Sequence, residues 1–337
     1  MKKIGIRADG GENIGMGHVI RTLVLAKELA KDNEVFYICR SDKRNPSKYK
    51  AGIEKIKKEG FSVKLIDESF FLEELCKIEA HCLITDSYDV DEVYFNVTRS
   101  KFNKTGYIDD MDLYYYNVDF IVNQNMGAED LKYRTNPSTK LFLGSSYILL
   151  REEFRKNNTN RLKEKAENVL ITLGGSDPYK VTEKLLNYIS DLKYCFHVVV
   201  GPAFKEVEAL EKIKQQSNNI KLHYNPPMVQ VMEQCDAAVS AAGSTLYELS
   251  ACEIPTLAIM VAENQRTLVE NMDKNGVVIN LGWQDKLVRD SVREALIEIC
   301  ENSGLRETMV KNQRVNININ GVEKLCREIN EILKVEC

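Results

Sequence analysis

No stretch of this chain approaches the ~18 uninterrupted apolar residues of a membrane-spanning helix, so none is expected. Positive charge is not in excess either: 46 Lys and Arg stand against 50 Asp and Glu, which disfavours a general nucleic-acid binder. The nine cysteines are odd in number and scattered, with no Cys-x-x-Cys, so neither a disulfide framework nor a zinc ribbon is expected. Only four histidines occur, none spaced as His-x-x-x-His, and no metal site is expected. The opening Met1-Lys2-Lys3-Ile4-Gly5-Ile6-Arg7 carries charge where a secretory signal needs its apolar stretch, which points to a cytoplasmic protein with reduced thiols. What is present is a globular mixture of 44% hydrophobic and 28% charged residues, over a length of 337 that favours two domains.

The pattern alternates between two periods. Apolar runs at 3–6, 34–39, 62–66, 82–85, 107–108 and 120–122 read as strands. Between them, helical spacing starts at His18 (Val19, Leu23, Ala26, Ala30) and recurs at 51–59 and 68–78. Strands at 168–173, 196–201, 220–223, 237–240 and 256–260 repeat the scheme after a polar run at 151–166. The expectation is an α/β protein of two doubly wound parallel-sheet domains: 1–155, then 166–318, with a last helix in 319–337 returning to the first. Ligands of such domains bind beyond the carboxyl ends of the strands, so a cleft between the halves is the expected site.

Three turns have the chemistry of anion cradles. Gly15-Met16-Gly17-His18 joins a strand end to a helix start, where unpaired N–H groups and the helix dipole favour a phosphate. A dinucleotide fingerprint is disfavoured, because Ile20 holds the third glycine position and no acidic residue ends the second strand; a P-loop is absent too. A positive helix end disfavours protonated imidazole, so His18 is a candidate general base, with phosphate donation or simple packing as alternatives. Ala242-Gly243-Ser244-Thr245 is a second cradle, and Glu248 one turn on fits a ribose acceptor or the acidic partner of a capping box. Gly174-Gly175-Ser176-Asp177 is a weaker third. Asp86-Ser87-Tyr88 and Glu263-Asn264-Gln265 add polar groups at strand ends. The Tyr114-Tyr115-Tyr116 run has no account at this level.

Several of these motifs together resemble the nucleotide-sugar hydrolases of pseudaminic acid biosynthesis, which act on a UDP-linked diacetamido-trideoxy-altropyranose. The resemblance runs through Ile6-Arg7-Ala8-Asp9, Ile14 to Arg21, Thr85 to Tyr88, Ile108-Asp109-Asp110, Gly144 to Phe154, Leu173 to Asp177, Ser240 to Leu249 and Glu263 to Gln265. The second half also resembles the lipid II-forming N-acetylglucosaminyltransferase. These resemblances imply a glycosyltransferase-B fold, no cofactor, no metal, and water attack on the anomeric carbon with UDP leaving and inversion. They imply His18 as the base, Tyr88 and Gln265 at the sugar or diphosphate, Gly15, Gly17, Asp86, Gly175 and Asn264 lining the site, and uracil near Asn225 to Met228. Diphosphate would lie on Gly243, Ser244 and Thr245, and ribose on Glu248. Two departures stand out: Ser87 and Asp89 flank the tyrosine where the family often has His and Gly, and Glu253 fills a turn position usually held by Gly. The alternatives are a UDP-sugar-dependent transferase, which would need an acceptor, and a non-catalytic UDP-sugar binder, which would not need His18.

Overall fold

Short β-branched and aliphatic runs closed by turn residues become strands, the central ones buried on both faces. In the computed structural model these are β1 (Lys3–Ala8), β2 (Glu34–Ser41), β3 (Val63–Asp67), β4 (Cys82–Asp86), β5 (Lys104–Ile108), β6 (Phe120–Asn123) and β7 (Lys140–Leu143). They form one sheet in the order β3-β2-β1-β4-β5-β6-β7, all parallel, with Ile4 opposite both Val35 and Cys82. Alternation sends Ile4, Ile6 and Ala8 to one core with helix α1 (Gly17–Leu29). Phe36, Ile38 and Leu83 go to a second core with Tyr94 and Phe95 of the helix Glu92–Lys101.

The described residues are 1–11, 14–155, 162–205 and 207–335. They divide into two units: Met1–Leu150 with Asn320–Cys337, and Arg151–Ile319. The polar positions 156–161 and the turn residues Glu12 and Asn13 lie outside the described residues. The second unit has its own parallel sheet, from β8 (Asn168–Thr172), β9 (Cys195–Val200), β10 (Ile220–Tyr224), β11 (Ala237–Ala241), β12 (Thr256–Met260) and β13 (Ile279–Trp283). Its order is β10-β9-β8-β11-β12-β13, over a core that includes Val169, Phe196, Val239 and Leu296. In each sheet the order reverses beside the first strand, between β1 and β4 and between β8 and β11. Loops leave in opposite directions there, at the place where open α/β sheets take their ligands.

The last helix, Gly321–Lys334, belongs to the first unit. Leu325, Ile329 and Leu333 join the core of α1, and Asn33 Nδ2 donates to Asn330 Oδ1 at 2.9 Å. Gly321 lies against the Ile148 backbone, where a Cβ has no room.

Three stretches differ from the pattern reading. Residues 68–78 are not one helix: a 3-10 turn, Glu68–Phe70, is started by Asp67 accepting from Ser69 N, and only Phe71–Leu75 is α-helical. Arg7 stacks on Phe71, the first residue of that short helix, at 4.3 Å. β7 and β13 lie outside the pattern reading; both are edge strands and only partly buried.

Candidate active site

The opening loop folds back on itself. Gly11 and Gly15 exchange two backbone hydrogen bonds at 3.1 and 2.9 Å, and Gly15 takes φ +75°, a left-handed conformation that a side chain would strain. The chain then enters α1 with Met16 as N-cap and no side-chain capping bond. Among the described residues a Cβ on Gly17 would meet nothing within 4 Å, so packing among them does not require glycine there. His18 follows, buried in the first turn.

His18 is held from the carboxyl end of β4. Its Nδ1 lies 2.6 Å from Asp86 Oδ1, and Asp86 is wholly buried. Burial alone would raise the Asp86 carboxyl; Arg21 and His18 outweigh it and hold it down at about 2. An ionised carboxylate can only accept, so Nδ1 carries a proton, and in the neutral ring the lone pair is therefore on Nε2. The Tyr88 ring packs edge-on to His18 with centroids 4.6 Å apart, and its hydroxyl donates to Asp110 Oδ2 at 2.8 Å. Arg21, one turn along α1, reaches Asp86 and Asp110 together. The structure therefore brings His18, Asp86 and Tyr88 into one cluster. It adds Arg21 and Asp110, whose signals were modest: helical spacing of three from His18, and position after a strand.

The loop that presents Tyr88 is strapped on both sides. Tyr107 OH donates to Ser87 O at 2.9 Å, Arg7 Nη2 donates to Asp89 O at 3.2 Å, and Arg40 pairs with Asp89 as well as Asp9. The two departures flanking the tyrosine thus have structural partners. Beneath Asp110, Asp109 accepts from Tyr133 OH at 2.7 Å and Tyr116 OH at 3.2 Å, and burial raises its carboxyl. Tyr116 is fully buried and stacks on Tyr107 at 5.5 Å. The middle of the strand pattern's unexplained tyrosine run is exposed Tyr115; buried Tyr116 builds the floor of the site.

In the second unit the turn after β11 leads into α2 (Thr245–Ala251), with Ser244 as N-cap and no side-chain capping bond. A Cβ on Gly243 would meet only Gln265 Nε2, at 3.8 Å, while Gln265 Oε1 accepts from Val261 N at 2.9 Å. Gly243 and Gln265 are therefore neighbours, and Asn264 shares the 3-10 turn Glu263–Gln265. Glu248 does not act as a capping-box acid: its Oε1 accepts from Arg151 Nε at 2.8 Å. Burial pushes its carboxyl up and Arg151 pulls it down, with a net rise. At the third turn, Asp177 accepts from Val181 N at 2.9 Å and Thr182 N at 2.7 Å, so that helix end already has its anion. Gly175 O accepts from Ala203 N at 3.0 Å. Met228, half-buried, opens the helix Met228–Met232. Glu253 is left-handed at φ +58° and pairs with Arg314 at 2.5 Å, which explains how a non-glycine occupies that turn. Among the described residues no group of three His, Cys, Asp or Glu side chains is placed to hold a metal ion, and no helix is long and apolar enough to cross a membrane.

Two doubly wound parallel-sheet units in succession, each with helix-start turns at its strand-order reversal, define the glycosyltransferase-B fold. MurG of Acinetobacter baumannii shares it at a TM-score of 0.68, over 98% of this chain and 100% of that one, with 14% identity. The calicheamicin glycosyltransferase CalG4 does so at 0.64, over 98% of each, with 13% identity. By sequence, the chain resembles the UDP-2,4-diacetamido-2,4,6-trideoxy-β-L-altropyranose hydrolase of Campylobacter jejuni, at 24% identity over 81% of this chain and 97% of that protein. It is 24% identical to the spore coat polysaccharide biosynthesis protein SpsG of Bacillus subtilis, over 99% of both. It is also 33% identical to an uncharacterised protein of Methanocaldococcus jannaschii over 78% of this chain, and spans 57% of that relative's length. No protein-family model matches.

Proposed function

We propose that the chain hydrolyses a UDP-linked diacetamido-trideoxy sugar to UDP and the free sugar, in the cytoplasm, as a step of pseudaminic acid biosynthesis. The observation that carries this reading is His18 at the start of α1, whose Nδ1 faces the buried, ionised Asp86, so that the neutral ring would present Nε2 as the proton acceptor. Nε2 takes a proton from water while the water oxygen bonds to the anomeric carbon from the face opposite the departing oxygen. The carbon–oxygen bond to the diphosphate breaks, its electron pair leaves with UDP, and the configuration inverts. UDP is a good leaving group, so no second carboxylic acid is required, in contrast to the usual two-carboxylate scheme.

The second unit suits the nucleotide. The open space over Gly243 and the uncapped start of α2 at Ser244 and Thr245 offer N–H groups to the diphosphate charge. Glu248 would accept from the ribose hydroxyls, and the Met228 turn would lie along the uracil. Tyr88 and Gln265 are each assigned to a contact with the sugar or the diphosphate. The scheme needs neither cofactor nor metal.

His18→Asn tests the assignment. UDP affinity should stay within about twofold while turnover falls about 10²–10⁴-fold, the usual contribution of a positioned base. Unchanged turnover would remove His18 from the mechanism. The likeness to solved glycosyltransferases favours a second reading, transfer to a sugar or lipid acceptor with the same donor site; release of UDP without any acceptor separates the two.

A further inference from the structure

Arg21 has no role in the scheme above, yet its guanidinium is fully engaged. Nε donates to Asp86 Oδ2 at 2.6 Å and Nη2 to Asp86 Oδ1 at 2.6 Å. The remaining nitrogen, Nη1, donates to Asp110 Oδ2 at 3.1 Å, the same oxygen that accepts from Tyr88 OH. Asp110 Oδ1 is buried and takes no hydrogen bond, so the Asp110 carboxylate works through Oδ2 alone.

Resting on the hydrolytic reading, we propose that Arg21 is the positioning residue of the site: one planar guanidinium fastens two arms, Asp86 with His18 on one and Asp110 with Tyr88 on the other. The first arm sets the proton on His18. Asp86 is wholly buried, and a buried carboxylate without its cation is driven toward the protonated form. A protonated Asp86 would donate to Nδ1, move the ring proton to Nε2 and abolish the base. The second arm sets where Tyr88 stands against the imidazole. Lysine has the charge but not the fork, and cannot hold three carboxylate oxygens in one plane.

The test uses the full-length chain with Arg21→Gln and Arg21→Lys, read by ¹⁵N NMR of the four histidines and by UDP-sugar turnover. In wild type the neutral His18 ring should carry its proton on Nδ1. Arg21→Gln should shift it to the other tautomer or to an exchange average, and Arg21→Lys should restore it only in part. Turnover should fall about 10²-fold in Arg21→Gln, as for a misaligned reacting group, with UDP affinity unchanged within about twofold. An unaltered His18 spectrum with unaltered turnover would overturn the proposal. Arg21→Lys carries the test where the glutamine variant does not fold. In the Tyr88→Phe background, Asp110→Asn should add little further loss; fully additive losses would overturn the second arm. If wild type proves unable to hydrolyse the sugar nucleotide, the hydrolytic reading falls, and the His18 spectrum still decides the role of Arg21.

Discussion

His18 sits on a helix start, and the structure sets the Asp86 carboxylate 2.6 Å from its Nδ1. The motif around His18 and the polar ends at Asp86 and Tyr88 were legible, because strand-end loops carry a recognisable composition. Arg21 and Asp110 lie in motifs that carry the resemblance, but their joint role was not legible, since it lies in one guanidinium reaching two strand ends that only the folded sheet brings together. Glu248 shows the limit of spacing arguments: Thr245-x-x-Glu248 has the form of a capping box, but a cation 97 residues away in sequence, Arg151, claims the carboxylate. The structure thus leaves that acid facing a polar partner and not its own helix end. Glu248→Gln should weaken UDP binding about tenfold or more, the value of a hydrogen bond to a charged group. Titration calorimetry with UDP checks this, and an affinity within about twofold of wild type would take the ribose contact away from Glu248.

Among the elements, the central strands were plain from their apolar runs, because burial on both faces leaves no room for polar residues. The edge strands Lys140–Leu143 and Ile279–Trp283 escaped notice for the converse reason. The broken helix at 68–78 was hidden because helical periodicity cannot report a tertiary contact such as Arg7 on Phe71. Two glycines separate packing from ligand binding. A Cβ on Gly52, in the helix Lys50–Lys58, would stand 2.6 Å from Gly10 O, so Gly52→Ala should cost about 1–3 kcal/mol through overpacking of the opening loop. Gly17→Ala meets open space and should leave stability unchanged or raised by up to about 1 kcal/mol. Denaturant titration measures both. A loss of stability in Gly17→Ala equal to that in Gly52→Ala would contradict this account of the loop; loss of turnover in Gly17→Ala at intact stability is the result expected of a ligand-facing glycine.

For the molecule as a whole, the two units should respond to acid in different windows. In the second unit His197 is buried, donates Nε2–H to Asn168 Oδ1 at 3.2 Å, and stacks on His223. Burial, helped by Lys221 and His223, pushes its imidazolium down to about 4, and burial shifts His223 the same way. The unfolded histidine protonates near ~6.5, so the unfolded state binds more protons between the two values. This contribution to stability is whole above ~6.5 and is lost as pH falls toward 4. The raised carboxyl of Glu248 works in the opposite sense, since its protonation favours the native state. In the first unit Asp86, held at about 2, contributes above its unfolded value of ~3.9 and fails only below it. The single tryptophan, Trp283, lies in the second unit and reports on it. Denaturation followed by Trp283 should show a midpoint that drops from pH 6.5 to 4, with a shallower drop in His197→Gln; an equal slope would contradict the assignment.

Hydrolysis with His18 as base is tested most directly by NMR of purified wild type and His18→Asn, each incubated with UDP-2,4-diacetamido-2,4,6-trideoxy-β-L-altropyranose, EDTA and no acceptor. Wild type should release UDP and the free sugar of inverted configuration, and His18→Asn should bind the substrate and leave it intact. Binding by wild type without release would contradict hydrolysis and point to transfer onto an acceptor, and equal release by both proteins would contradict the role of His18.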